Sequence, residues 1–149
     1  VQFYRKLKIW FLTFFRDIFV YHNSSLEFRA KLFAVMIGAN KVFDECEEKI
    51  LKEVAKEIYP NDDARVDVLI YTVREYVDKI IKNNGLDINE LILSIDQELK
   101  EVKRFCDKVD IQMLEKFLAC SEKDEEITII QKRILEFLSS ELDYFNKLR

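Results

Sequence analysis

Glycine and proline are almost missing from this chain: two of the first and one of the second among 149 residues. Sandwiches and barrels with many strands need tight turns at short intervals, and those turns draw on these two residues. Their scarcity excludes such folds and predicts an all-α protein. Histidine is equally sparse, with His22 alone, so the commonest general base and metal ligand is absent elsewhere. His22 sits in His22-Asn23-Ser24-Ser25 with no Asp, Glu or Cys in helical register, and reads as a helix-boundary residue, not a catalyst. Glycine-rich phosphate loops, nucleophile elbows and zinc-protease helix motifs are lacking too. The most apolar stretch, residues 9–15, ends after seven residues at Arg16 and Asp17, far short of the roughly 20 that a bilayer-spanning helix requires. Cysteine is limited to Cys46, Cys106 and Cys120. An odd number without Cys-x-x-Cys spacing predicts reduced thiols, packed as small hydrophobes in a reducing, cytoplasmic setting. Basic residues number 24 against 28 acidic, for a net charge of −4, which argues against nucleic acid as a partner.

What is present suits one helical domain spanning residues 1–149. Hydrophobic residues make up 49% and charged residues 35%, enough to fill a core and cover it. Residues 3–21 form an aromatic, basic helix in which Phe3, Tyr4, Trp10, Phe11, Phe14, Phe15, Phe19 and Tyr21 alternate with Arg5, Lys6, Lys8 and Arg16. The first 31 residues carry six basic and two acidic side chains, so the chain is electrically polarised. Two readings compete for residues 1–23. Apolar residues all round favour a helix packed on the domain. Alternatively the helix is peripheral, docking a partner or an anionic membrane surface through Trp10, Phe11, Phe14, Phe15 and Arg16.

Helix signals punctuate the remainder. Ser24 with Glu27 has capping-box spacing and opens a helix over 26–39, and Asp44 with Glu47 opens a second one with a stripe at Cys46, Ile50, Val54 and Ile58, ending before Pro60. Val66, Leu69, Ile70, Val73, Val77, Ile80 and Ile81 keep helical spacing up to Asn83-Asn84-Gly85, a left-handed stop. Asp87 with Glu90 opens a stripe running from Ile88 to Cys106. A shorter helix follows over 111–120, then an acidic loop over 121–126, then a last helix capped by Thr128 with Gln131 and reaching Phe145. About seven helices result.

Shifted by 84 positions, residues 33–58 lie over 117–142 with four identities in 26: Phe33 on Phe117, Ile50 on Ile134, Leu51 on Leu135 and Glu57 on Glu141. Asp44 then falls on Thr128 and Glu47 on Gln131, so a duplicated helical hairpin is one reading and a chance match of two amphipathic helix pairs the other. On these residues the chain resembles the TerB-like family of tellurite-resistance and DnaJ-associated domains. That family's mark is a small-residue-rich helix, then Asp-Gly-x-(Ile/Val)-x-x-x-Glu, occurring twice in an all-helical domain. In the first copy, 33–47, Glu47 matches but Asn40 replaces the aspartate; in the second, 124–131, Asp124 matches but Gln131 replaces the glutamate. Lys41 and Glu125 stand where the family has glycine. The likeness spans residues 26–145.

The resemblance implies a binding, scaffolding or signalling module, with the two acidic loops as a divalent-cation site. Carried over by position, its ligands are Asn40, Asp44, Glu47, Asp124, Glu126 and Gln131, with Glu45, Glu48, Glu122 and Glu125 close by. A hard cation wants six to eight oxygens, which requires the loops to converge. The competing reading has Asp44, Glu47, Thr128 and Gln131 capping helices and the other acids solvated. Glu47-Glu48 and Glu125-Glu126 read as exposed pairs with no apolar pocket to shift their pKa values, which argues against acid/base catalysis. The sequence thus predicts a non-enzymatic module acting through protein–protein contact, without a cofactor. Cation sensing by the loops and attachment of a cytoplasmic protein to a membrane surface are the alternatives.

Overall fold

The computed structural model describes Lys6 and residues 25–82 and 86–148. The expectations for Trp10, Phe11, Phe14, Phe15 and Arg16, for His22, for the Ser24 cap and for the Asn83-Asn84-Gly85 stop fall outside the described residues. Among those residues every regular element is helical: α1 (Ser25–Ala39), α2 (Glu45–Ile58), α3 (Asp63–Ile81), α4 (Ile88–Glu101), a first 3-10 turn (Lys103–Lys108), α5 (Ile111–Glu115), a second 3-10 turn (Lys116–Ser121) and α6 (Glu125–Lys147). The expected all-α architecture is the observed one.

The first of these helices is the axis of the domain. Eleven of its 15 residues are buried, because its small and apolar residues leave no polar face to turn outward. α3 and α4 pack along it, and α5, α6 and the first 3-10 turn cover the other sides. Gly38 lets α3 come close: a Cβ there would stand 2.8 Å from Ile80 Cδ1. Phe28 stacks on Phe105 with centroids 4.6 Å apart, and Phe33 meets Phe117 at 5.8 Å.

The caps decide where the outer helices begin. Asp44 accepts from the Cys46 amide at 3.1 Å, and Glu47 Oε2 accepts from the Asp44 amide at 3.3 Å, completing the expected capping box. The buried face of α2 is nevertheless Glu47, Leu51, Val54 and Ala55, rotated by one residue from the expected stripe, so that Cys46 is exposed and Ile50 and Ile58 are half-buried. Asp62 caps α3, whose inner face follows the expected spacing from Val66 to Val77 and adds Val68 and Thr72, while Ile81 turns to solvent. Asp87 and Asp110 accept amides at the starts of α4 and α5.

Two expected helices are broken. The stripe from Ile88 to Cys106 does not form one helix: α4 stops at Glu101, Val102 is extended, and the 3-10 turn places consecutive residues Phe105 and Cys106 inside. A continuous α-helix puts neighbours about 100° apart and would have left the large Phe105 ring off the stripe. Residues 111–120 likewise divide into α5 and a 3-10 turn, which buries Leu114 and Phe117. α6 begins one turn before the expected cap, because Asp124 accepts from the Ile127 amide at 3.3 Å. Thr128 is inside the helix, donating to the Ser121 and Asp124 carbonyls at 2.8 and 3.0 Å. Asp124→Ala is therefore expected to lower stability by about 1 kcal/mol, read from urea unfolding.

Candidate functional site

The elements beside the two loops that resemble each other in sequence are joined in space. Cys46, in the first turn of α2, is bonded to Cys120 in the second 3-10 turn, with Cα atoms 5.7 Å apart across a sequence separation of 74. This corrects the expectation of three reduced thiols; only Cys106 is free, and it is buried. Each bonded cysteine is followed by a buried polar residue, Glu47 after Cys46 and Ser121 after Cys120. Bond, loops and polar side chains make one pole of the domain.

On the first-loop side, α1 ends in a turn in which the Asn40 and Lys41 amides donate to Ile37 and Gly38 carbonyls, both at 3.0 Å. Lys41 takes φ 57°, left-handed backbone that disfavours a Cβ. It is the position where the TerB-like mark has glycine. Lys41→Gly is expected to stabilise the domain by about 0.5–1 kcal/mol, measured as a rise in the urea midpoint with unchanged slope. Asn40 then donates through Nδ2 to Glu47 Oε1, while Glu47 Oε2 serves the Asp44 amide. Asn40, Asp44 and Glu47 are thus brought together, as a closed set.

On the second-loop side the buried glutamine does comparable work. Gln131 Nε2 donates to the Met36 carbonyl at 2.9 Å, and its Oε1 accepts from the Ser121 hydroxyl. Asp124 and Glu126 are exposed and do not join it. The contacts mirror one another under the 84-residue offset: Gln131 reaches Met36 in the first copy, while Cys46, neighbour of Glu47, is bonded to Cys120, the counterpart of Met36. Phe33 and Phe117, another offset pair, pack directly on each other.

Burial governs the electrostatics. Glu47 is 1% exposed, and that burial, together with a hydrogen bond between its carboxyl and the Asp44 carboxyl, raises its pKa to about 7 against the opposing pull of the Asp44 amide. The same hydrogen bond holds the Asp44 carboxyl below its ordinary value. Glu47 is therefore not half of an exposed carboxylate pair, as expected, whereas Glu125 and Glu126 are exposed. Among the described residues no group of three or more His, Cys, Asp or Glu side chains is arranged to hold a metal ion. A cation at this pole would have to displace hydrogen bonds that Asn40, Glu47 and Gln131 already make to their surroundings.

The outer surface of the pole combines apolar and mostly acidic side chains with the exposed Lys41 and Lys123. Val42 is 46% exposed, Ile129 53% and Ile130 46%, and Asp44, Glu45, Glu122, Asp124, Glu125 and Glu126 are exposed beside them in sequence. Arg74 pairs with Glu48 and lies over the Phe43 ring at 5.1 Å, masking both. The residues that sequence reading passed over are Ser121, the Cys46–Cys120 pair and the exposed Val42, Ile129 and Ile130. The one signal for the last two was an Ile129-Ile130 dyad at the start of a helix, where a single apolar stripe does not need both. A cavity of about 330 Å³ lies elsewhere, lined by Leu99, Lys100, Cys106, Tyr144, Phe145 and Leu148 among others. No family model, no curated protein and no solved structure matches the chain.

Proposed function

We propose that this chain is a non-enzymatic binding module of TerB-like type, recognising a protein partner through the pole where the elements beside its two loops are joined. The observation that carries this reading is the division of labour at the pole: the polar side chains Asn40, Glu47, Ser121 and Gln131 are engaged with one another or with backbone, and the exposed remainder is apolar and predominantly acidic, with Lys41 and Lys123 as basic members. Such a surface complements a segment that presents apolar side chains flanked by lysine or arginine. The mirrored contacts and the left-handed backbone at Lys41 support the duplicated hairpin of that family. No helix among the described residues is long and apolar enough to cross a membrane. The expectation of a cytoplasmic setting rested on reduced thiols, and the Cys46–Cys120 pairing removes that ground.

The test is site-specific photocrosslinking in the source cells. A photoreactive residue at position 130 is expected to capture one recurrent protein, with capture falling as salt is raised, whereas the same residue at position 97 on α4 captures none of it. Equal capture from both positions, or none from 130, overturns the reading. A shift of the melting temperature by calcium, magnesium, manganese or zinc after chelation would restore cation binding as the better account.

A further inference from the structure

The sulfur bridge at the pole differs from a buried structural crosslink in where it lies. Cys46 is exposed and Cys120 half-buried, so a thiolate from solution has a line of approach to Cys46 Sγ. The elements it joins have independent anchors. Leu51, Val54 and Ala55 hold α2 in the core, and Phe117 holds the second 3-10 turn, all at 0% exposure. Ion pairs add to this: Arg74 with Glu48 from α3, and Lys116 with Glu57 at 3.2 Å between the 3-10 turn and α2. The bridge is the covalent link between these two elements, next to the buried Glu47 and Ser121.

We propose that Cys46–Cys120 is a reversible thiol–disulfide exchange site, a latch on the polar pole that a dithiol reductant opens while the helical core stays folded. A thiolate of the dithiol attacks Cys46 Sγ, the S–S bond breaks, and its electron pair leaves on Cys120 Sγ, which takes a proton. The second thiol of the reductant then attacks the mixed disulfide, releases Cys46 as a thiol and closes the reductant into its own disulfide. Two electrons and two protons pass to the protein. With the bridge open, the first turn of α2 and the 3-10 turn separate enough for water to reach the buried polar set.

Hydrogen exchange read by mass spectrometry tests this on the intact chain, oxidised and after treatment with dithiothreitol at neutral pH without denaturant. Reduction is expected to yield three titratable thiols in place of one. Exchange should accelerate about tenfold or more in residues 40–50 and 116–131 by local opening, while residues 66–77 of α3 remain the slowest to exchange and lose only the protection that the fall in global stability removes. Removing the reductant in air should restore the original pattern. Failure of the bridge to reduce without denaturant would make it an inert staple, and exchange in α3 as fast as that at the pole would make it a requirement of the core. Re-formation with Cys106 in place of Cys46 or Cys120 also overturns the proposal. The comparison needs no substitution, so a variant that folds poorly does not obscure the outcome.

Discussion

Replacing both Cys46 and Cys120 by serine is expected to lower stability by about 4 kcal/mol, because the bridge closes a long loop and removes that loop's entropy from the unfolded chain. In a domain of this size the loss appears as a fall of roughly 10 °C in melting temperature. The domain should remain folded at 25 °C, since its core is built on α1 and does not include either sulfur. Scanning calorimetry with and without reductant checks this in one series. Reductant should move the wild-type melt most of the way to that of the double variant and leave the variant where it is. A wild-type melt that reduction moves by less than 2–3 °C, with the bridge shown to be open, contradicts the account.

Glu47→Gln is expected to gain in stability relative to wild type as pH rises, because it removes a buried group that ionises only at a cost. Glu47 has its pKa raised to about 7 from 4.5, so between those values the folded state holds a proton that the unfolded chain has released. Stability therefore falls as pH rises from about 4.5 to 7, then levels off, and the carboxylate at pH 8 stands on the order of 3 kcal/mol worse than its protonated form. Glutamine imitates that protonated form and is the residue at the offset position, Gln131, where its amide and carbonyl are both satisfied. The variant should gain on wild type as pH rises from about 5 to 8 and lose most of the slope between, offset at every pH by the loss of one acceptor for Asn40 or the Asp44 amide. A residual slope in the same direction is expected from Glu141, whose pKa is raised to about 6 by its hydrogen bond to Asp96 and by burial. Below about pH 4 the depressed carboxyl of Asp44 reverses the trend, since protonating it removes the acceptor for the Cys46 amide. Urea unfolding at intervals from about pH 2 to 9 measures all of this. A variant less stable than wild type at pH 8, with the slope intact, contradicts the assignment.

Local periodicity made much of the fold legible. α3 follows Val66, Leu69, Val73 and Val77 because a helix packed on one side must repeat its apolar residues, and the Asp44 and Glu47 pair marked a real capping box. Capping signals failed where two residues competed. Thr128 with Gln131 has the residue types of the box and Asp124 with Ile127 does not, yet a cap needs one acceptor, and Gln131 is drawn into the core to serve Met36. The stripe on α2 was off by one residue because it assumed that a glutamate faces solvent. Glu47 occupies a core position there, with its oxygens satisfied by Asn40 and the Asp44 amide. Breaks at Val102 and Lys116 answer to tertiary packing of Phe105 and Phe117, which no local pattern records.

The site was half legible. The 84-residue offset found both loops, and Asn40, Asp44 and Glu47 do assemble. Their use as hydrogen-bonded closure in place of a cation site depends on burial, which residue type does not disclose. The pairing of Cys46 with Cys120 is a through-space fact across 74 positions, so counting cysteines pointed the wrong way. A hint lay in the offset itself: both cysteines fall beside the two loops that it aligns, and Cys106 does not.

The central claim is that the elements beside the two loops are joined at one pole. Alkylation of the native chain, purified without reductant and then denatured, tests it most directly by mass spectrometry. The account predicts one alkylated cysteine, Cys106, and a proteolytic product in which the Cys46 and Cys120 peptides are joined. Three alkylated cysteines, or a linkage through Cys106, would contradict it.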